Sequence, residues 1–193
     1  MHSAAISAVE RQAKWELALD GLRTLLADGL RPNAFTSSAV VSTCAKAGRW
    51  DRALEQLAGA EDRSDGPSTI MLNSAMDACG RNLRWELAHR LLQAIRLRGL
   101  RPSRISFNTA IGAGERCKQW GQALALLRQM PRAGAWPDVR TFTAAISCCE
   151  KGHQWQRAVE LLREAARRRA RAKNGRPNAF TFGATISACE KAT

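Results

Sequence analysis

The sequence predicts an all-α protein, an α-solenoid of stacked helix–turn–helix repeats, and three observations carry that expectation. Trp15, Trp50, Trp85, Trp120 and Trp155 stand 35 residues apart every time. Pro32, Pro67, Pro102 and Pro137 keep the same ruler, each 17 residues after its tryptophan. Between these marks, apolar residues recur three and four apart, the period of one helix face rather than of a strand. Such a unit cannot bury its apolar face alone, so neighbouring units must stack to share a core.

Each unit divides at its tryptophan. A first helix follows the proline, as in Asn33-Ala34-Phe35-Thr36 running on to Val40, Val41 and Cys44, and ends in the turn Ala47-Gly48-Arg49. A second helix opens at the tryptophan and carries an apolar pair, Ala53-Leu54, Ala123-Leu124 or Ala158-Val159, with leucines a turn later. Gly29, Gly99 and Gly134 stand three before a proline, which suits a helix C-terminus followed by a residue that cannot continue it. The repeats run over 1–33, 34–68, 69–103, 104–138 and 139–178, with a partial unit at 179–193. Pro177 comes 22 residues after Trp155, so the fifth unit holds a five-residue insertion. Its basic run, Arg163 to Arg176, suits added phosphate affinity or a solvated helix face. The chain begins and ends inside a repeat, as a fragment of a longer array would. The tryptophans are expected to fill the seams between hairpins, and Cys44, Cys79, Cys149 and Cys189, at one place in four units, to be small buried packing groups.

Composition narrows the function. Thirty Lys and Arg against 17 Asp and Glu leave a formal net charge of +13. That balance favours a polyanionic partner, nucleic acid ahead of a membrane surface, although a basic pI also serves plain solubility. No apolar run is long enough to span a bilayer. Six cysteines without a zinc spacing predict free thiols in a reducing compartment, and no signal peptide is recognisable at Met1. His2, His89 and His153 have no spacing for a metal or a triad, and no phosphate loop, nucleophile elbow or paired-carboxylate motif occurs. The expectation is a binding module without catalytic residues, metal or cofactor.

The candidate binding residues repeat as well. Fourteen residues after each proline stand Lys46, Arg81, Arg116, Lys151 and Lys191, with Arg11 at the same place in the first unit. Stacked, these cations form a stripe with one phosphate contact per nucleotide; a helix C-terminus also attracts cations through its dipole. Six after each proline come Ser38, Asn73, Asn108, Thr143 and Gly183, with Ser3 as the first-unit equivalent. Polar groups in an otherwise apolar stretch want a partner, and their donors and acceptors match a base edge. Immediately after each proline come Asn33, Ser68, Ser103, Asp138 and Asn178. These residue types are also the preferred helix N-caps.

The 35-residue period, Ser106-Phe107-Asn108-Thr109-Ala110-Ile111, Arg140-Thr141-Phe142-Thr143-Ala144-Ala145-Ile146 and the ending Gly134-Ala135-Trp136-Pro137-Asp138 together resemble the pentatricopeptide repeat family. The resemblance covers essentially the whole chain. It implies a right-handed superhelix that binds single-stranded RNA at one base per repeat, 5′ to 3′ along the N-to-C direction. It further implies that Phe35, Ile70, Ile105, Arg140 and Phe180, three after each proline, wedge between bases; ordinary first-helix core is the competing role. In the family, the residue six after one proline acts with the residue just after the next. Carried over, Ser3 with Asn33 and Thr143 with Asn178 read adenine. Asn108 with Asp138 reads uracil, and Asn73 with Ser103 reads cytosine or uracil. Ser38 with Ser68 is unassigned, and Gly183 has no side chain to read with. The implied target core is 5′-A-N-C/U-U-A-3′. The resemblance also implies a role in RNA processing or expression in a mitochondrion or plastid, addressed by a transit peptide outside this sequence. No membrane contact is expected, and protein partners would dock on the array ends. The competing solenoid is the tetratricopeptide repeat, a peptide-binding scaffold with a period of 34.

Overall fold

A computed structural model describes residues 14–61, 66–168 and 177–191. All regular structure among them is helical: α1 (Trp15–Ala27), α2 (Ala34–Lys46), α3 (Trp50–Glu61), α4 (Thr69–Arg81), α5 (Trp85–Leu97), α6 (Arg104–Arg116), α7 (Trp120–Gln129), α8 (Val139–Lys151), α9 (Trp155–Arg168) and α10 (Ala179–Glu190). A 3₁₀ turn at Pro131–Ala133 extends α7. The chain packs as two units: the first holds α1 to α4 and nearly all of α5, the second α6 to α10 with Leu83–Trp85.

Every first helix after a proline starts by the same local chemistry. Asn33, Ser68, Ser103, Asp138 and Asn178 sit in extended backbone, and each side-chain oxygen accepts the amide N–H three residues on. One otherwise orphaned donor is thereby satisfied at each helix start. At α6 and α8 the bond is reciprocated, because the Ser106 and Thr141 hydroxyls accept from the N–H of Ser103 and Asp138. The capping role is therefore real at all five places.

The turn into the second helix has its middle residue in the left-handed region in four units: Gly48, Leu83, Lys118 and His153, with φ of 74°, 57°, 58° and 55°. The second helices end alike. Gly29, Gly99 and Gly134 adopt positive φ, and the next residue's N–H returns five residues to the carbonyls of Leu25, Ile95 and Met130. Those bonds satisfy the helix-end carbonyls before the proline arrives.

In the first unit α2 packs on α1, α3 and α4, and Val40, Val41, Cys44, Leu72, Met76 and Cys79 are buried there. The Asn82 amide ties α4 to the preceding turn, donating to the Gly48 carbonyl at 3.0 Å. In the second unit α8 is central, packed on α6, α7, α9 and α10, with Phe107, Ile111, Phe142 and Ile146 inside. Phe182 and Ile186 hold the matching places on α10 but are exposed. Cys189 is exposed too, so the expectation of a buried thiol holds for Cys44, Cys79 and Cys149 and not for it. Burial pushes the Cys44, Cys79 and Cys149 thiols up to about 11, and Cys148 to about 12, which suits packing groups rather than nucleophiles.

Trp15 and Trp120 make contacts of the kind expected, Trp50 and Trp85 are half-buried, and Trp155 is 40% exposed and departs from the expectation. The Arg49 guanidinium lies 4.5 Å above the Trp15 ring, within cation–π range. The Trp120 indole lies against the next unit's turn, where a Cβ on Gly152 would fall 2.4 Å from its Cδ1. Gly152 has φ of −93°, so the backbone tolerates alanine and the space does not. Gly152→Ala is expected to lower stability by about 1–3 kcal/mol, the usual cost of overpacking, read as a drop in the denaturant midpoint.

Candidate nucleic-acid interface

The residues three after each proline reach the surface. Phe35, Ile70, Ile105 and Phe180 are 62, 66, 66 and 69% exposed, and Arg140 is exposed too. Core packing does not account for them. Four large apolar side chains held in water at one repeat position leave transfer energy unclaimed.

Beside them, the structure brings the paired polar residues together wherever both are described and lie in one unit. Ser38 Oγ and Ser68 Oγ are 3.3 Å apart. Asn108 and Asp138 meet through Thr141, whose hydroxyl lies 2.7 Å from Asn108 Oδ1 and 2.8 Å from Asp138 Oδ1. Its single proton serves one of these acceptors at a time. Thr143 Oγ1 is 2.8 Å from Thr181 Oγ1, which donates to Asn178 Oδ1 at 2.8 Å. Asn73 is half-buried, and its Oδ1 is buried without a hydrogen-bond partner. An orphaned acceptor is costly, and such groups gather at functional sites.

Asp138 is the charged member of the set. Burial pushes its carboxyl up, but the Thr141 N–H and O–H, the Arg104 charge and the Asn108 amide outweigh that and hold it below the usual carboxylate range. Arg104 Nε lies 3.3 Å from its Oδ2. An ionised carboxylate accepts but cannot donate. It therefore matches a ligand that presents an N–H and repels one that presents a second acceptor.

The cations are exposed in every described unit, at Lys46, Arg81, Arg116, Lys151 and Lys191. They are not idle. Arg81 pairs with Asp77 of its own helix at 2.7 Å. Lys151 pairs with Glu115 at 2.9 Å, and Lys191 with Glu150 at 2.7 Å, each across a repeat seam. Ser3, Arg11 and residues 169–176 of the basic run lie outside the described residues.

Two groups of functional side chains escape sequence reasoning. One is the hydroxyl residue four after four of the five prolines (Met71 stands there after Pro67), Thr36, Ser106, Thr141 and Thr181, buried in every case and, at Thr141 and Thr181, linking the paired polar residues. The cap residue followed three later by Ser or Thr was its visible signal. The other is the Glu115 and Glu150 pair, whose partners lie a full repeat away.

Polar pairs, exposed apolar side chains and cations recur at fixed places of the repeat in both units. Residues 70–100 and 140–169 match the PPR repeat profile. In these two stretches the chain carries pentatricopeptide repeats. No curated protein matches it. Among solved structures it is similar to the pentatricopeptide repeat protein PPR10 from maize, at 24% identity and a TM-score of 0.79 over 99% of this chain and 26% of that one. The same protein in complex with an 18-nt psaJ RNA element gives 23% identity and a TM-score of 0.77, over 98% and 27% of the chains. The PPR domain of Arabidopsis thaliana protein-only RNase P 1, in complex with tRNA, gives 11% identity and 0.78 over 97% and 96%. The chain thus spans about a quarter of PPR10, and at these identities the likeness is one of fold.

Proposed function

We propose that this chain is a non-catalytic module that binds single-stranded RNA in a sequence-selective way, one base per repeat, within RNA processing or expression in a mitochondrion or plastid. The observation that carries the proposal is the exposure of Phe35, Ile70, Ile105 and Phe180 at one repeat position, beside polar pairs already in contact. Side chains with no packing role at helix starts are placed to stack on or wedge between unstacked bases. The neighbouring pairs supply donors and acceptors for base edges, and Asp138 supplies the charge that favours uracil. The RNA complexes of PPR10 and of the protein-only RNase P domain support a nucleic-acid partner for this fold.

The test is the salt dependence of RNA binding. Five described cations engaging five phosphates give a slope of log affinity against log salt of about −3.5, measured by filter binding. A flat response would refute phosphate contact and favour a peptide-binding scaffold.

A further inference from the structure

In the second unit two carboxylates are built into the seams in the same way. Glu115, in the last turn of α6, accepts at Oε1 from Ser147 Oγ at 2.8 Å and Lys151 Nζ at 2.9 Å, both on α8. Glu150, in the last turn of α8, accepts at Oε1 from Ser187 Oγ at 2.8 Å on α10 and from Lys191 Nζ, just beyond it, at 2.7 Å. In both pairs the carboxylate is the more buried partner and the ammonium the more exposed. Burial pushes the Glu150 carboxyl up, but the Lys191 and Ser187 hydrogen bonds and the charges of Lys191 and Lys151 outweigh it, so it stays ionised. Among the described residues of the first unit, Ala45 and Gly80 stand where the glutamates would, and Arg81 pairs within its own helix.

The lysines so held are two of the cations directed at phosphate. An ammonium has three donors, so a clamped lysine still has donors for an external anion. Its charge is already shared, however, and any phosphate it meets also meets the carboxylate. We propose that Glu115 and Glu150 are affinity-determining restraints: each holds the phosphate-contacting lysine of the next repeat in an internal ion pair that RNA must share or displace. They weaken RNA binding in this unit and flatten its salt response. The inference rests on the RNA-binding function proposed above.

The experiment titrates the whole chain with a labelled single-stranded RNA containing 5′-A-N-C/U-U-A-3′ across a salt series. E115Q and E150Q are measured singly and together, since glutamine keeps the acceptor for serine and lysine and removes only the charge. E160Q is the field control, removing a carboxylate paired with Arg157 on α9. The double variant is expected to bind about three- to tenfold tighter at low salt, with a slope steeper by up to about 1.4, or about 0.7 per phosphate newly neutralised. The gain should vanish in a K151M/K191M background, and E160Q should stay within about twofold of the parent. A gain that survives without the lysines, or that E160Q equals, would overturn the restraint, as would unchanged or weaker binding. Should the double variant melt, the single variants are judged by the same outcomes. A parent chain that binds no RNA overturns the RNA-binding function and the restraint with it; a parent that binds while the variants match it overturns the restraint alone.

Discussion

Replacing Phe35 or Phe180 by alanine is expected to weaken single-stranded RNA binding by about 1–3 kcal/mol each, the worth of one base–aromatic stack. That is between about fivefold and somewhat over a hundredfold in affinity. Stability should change by less than about 0.5 kcal/mol, the usual range for a surface side chain. The two readouts separate the roles. Phe35 and Phe180 are more than 60% exposed, so truncating them opens no cavity. By contrast, Phe107 and Phe142, two residues deeper into equivalent helices, are buried, and alanine there should cost about 3–5 kcal/mol of stability. A Phe35→Ala chain that melts early and binds RNA unchanged would make the side chain structural after all.

The second large effect is on specificity. Asn108→Thr with Asp138 kept is expected to move the preference at one nucleotide from uracil toward guanine, measured by competition among four RNAs that differ at that base. The physical basis lies in what changes and what stays. Asp138 remains ionised, because the Thr141 and Arg104 contacts that hold it down are untouched, so the preferred base must still present a ring N–H. Uracil and guanine both do so, while the neutral forms of adenine and cytosine do not. The residue at 108 then chooses between them by size and hydrogen-bond pattern. An amide against a hydroxyl at a base edge discriminates by about 1–3 kcal/mol, as for a good bidentate contact. An unchanged preference would remove Asn108 from the set of base-reading residues.

Much of the fold was legible because repeats write it several times. One tryptophan or proline says little; five and four on a single ruler define hairpins and their boundaries. The breaks before Pro32, Pro102 and Pro137 followed from glycines, and all three adopt the left-handed backbone that makes glycine the right residue there. Phase along the first helix was harder. Phe35 and Ser37 are two residues apart, and residue type alone makes the phenylalanine the core member; the structure exposes Phe35 and buries Ser37. The period of 35 fixes where helices begin, but which face meets a neighbour depends on the stacking of units.

The caps show the opposite case. Asn33, Ser68, Ser103, Asp138 and Asn178 were open to both a capping and a base-reading role, and the two roles use different atoms. Capping occupies Oδ1 of Asn33 and Asn178, which leaves each amide NH₂ free to serve as a donor. What no single repeat could reveal was the Glu115 and Glu150 clamps. Their partners lie 32 to 41 residues away in sequence, close only once α6, α8 and α10 are stacked. From the sequence, Lys151 and Lys191 carry unshared charges; in the structure each already has an anion.

The measurement that tests the central claim most directly is selection of a randomised RNA pool against the chain, run beside selection of a random peptide library. Base reading by successive repeats predicts an enriched single-stranded motif with uracil at the Asn108–Asp138 position and adenine immediately 3′ of it, at the Thr143–Asn178 position. An RNA pool that stays unenriched while peptides are selected would contradict it.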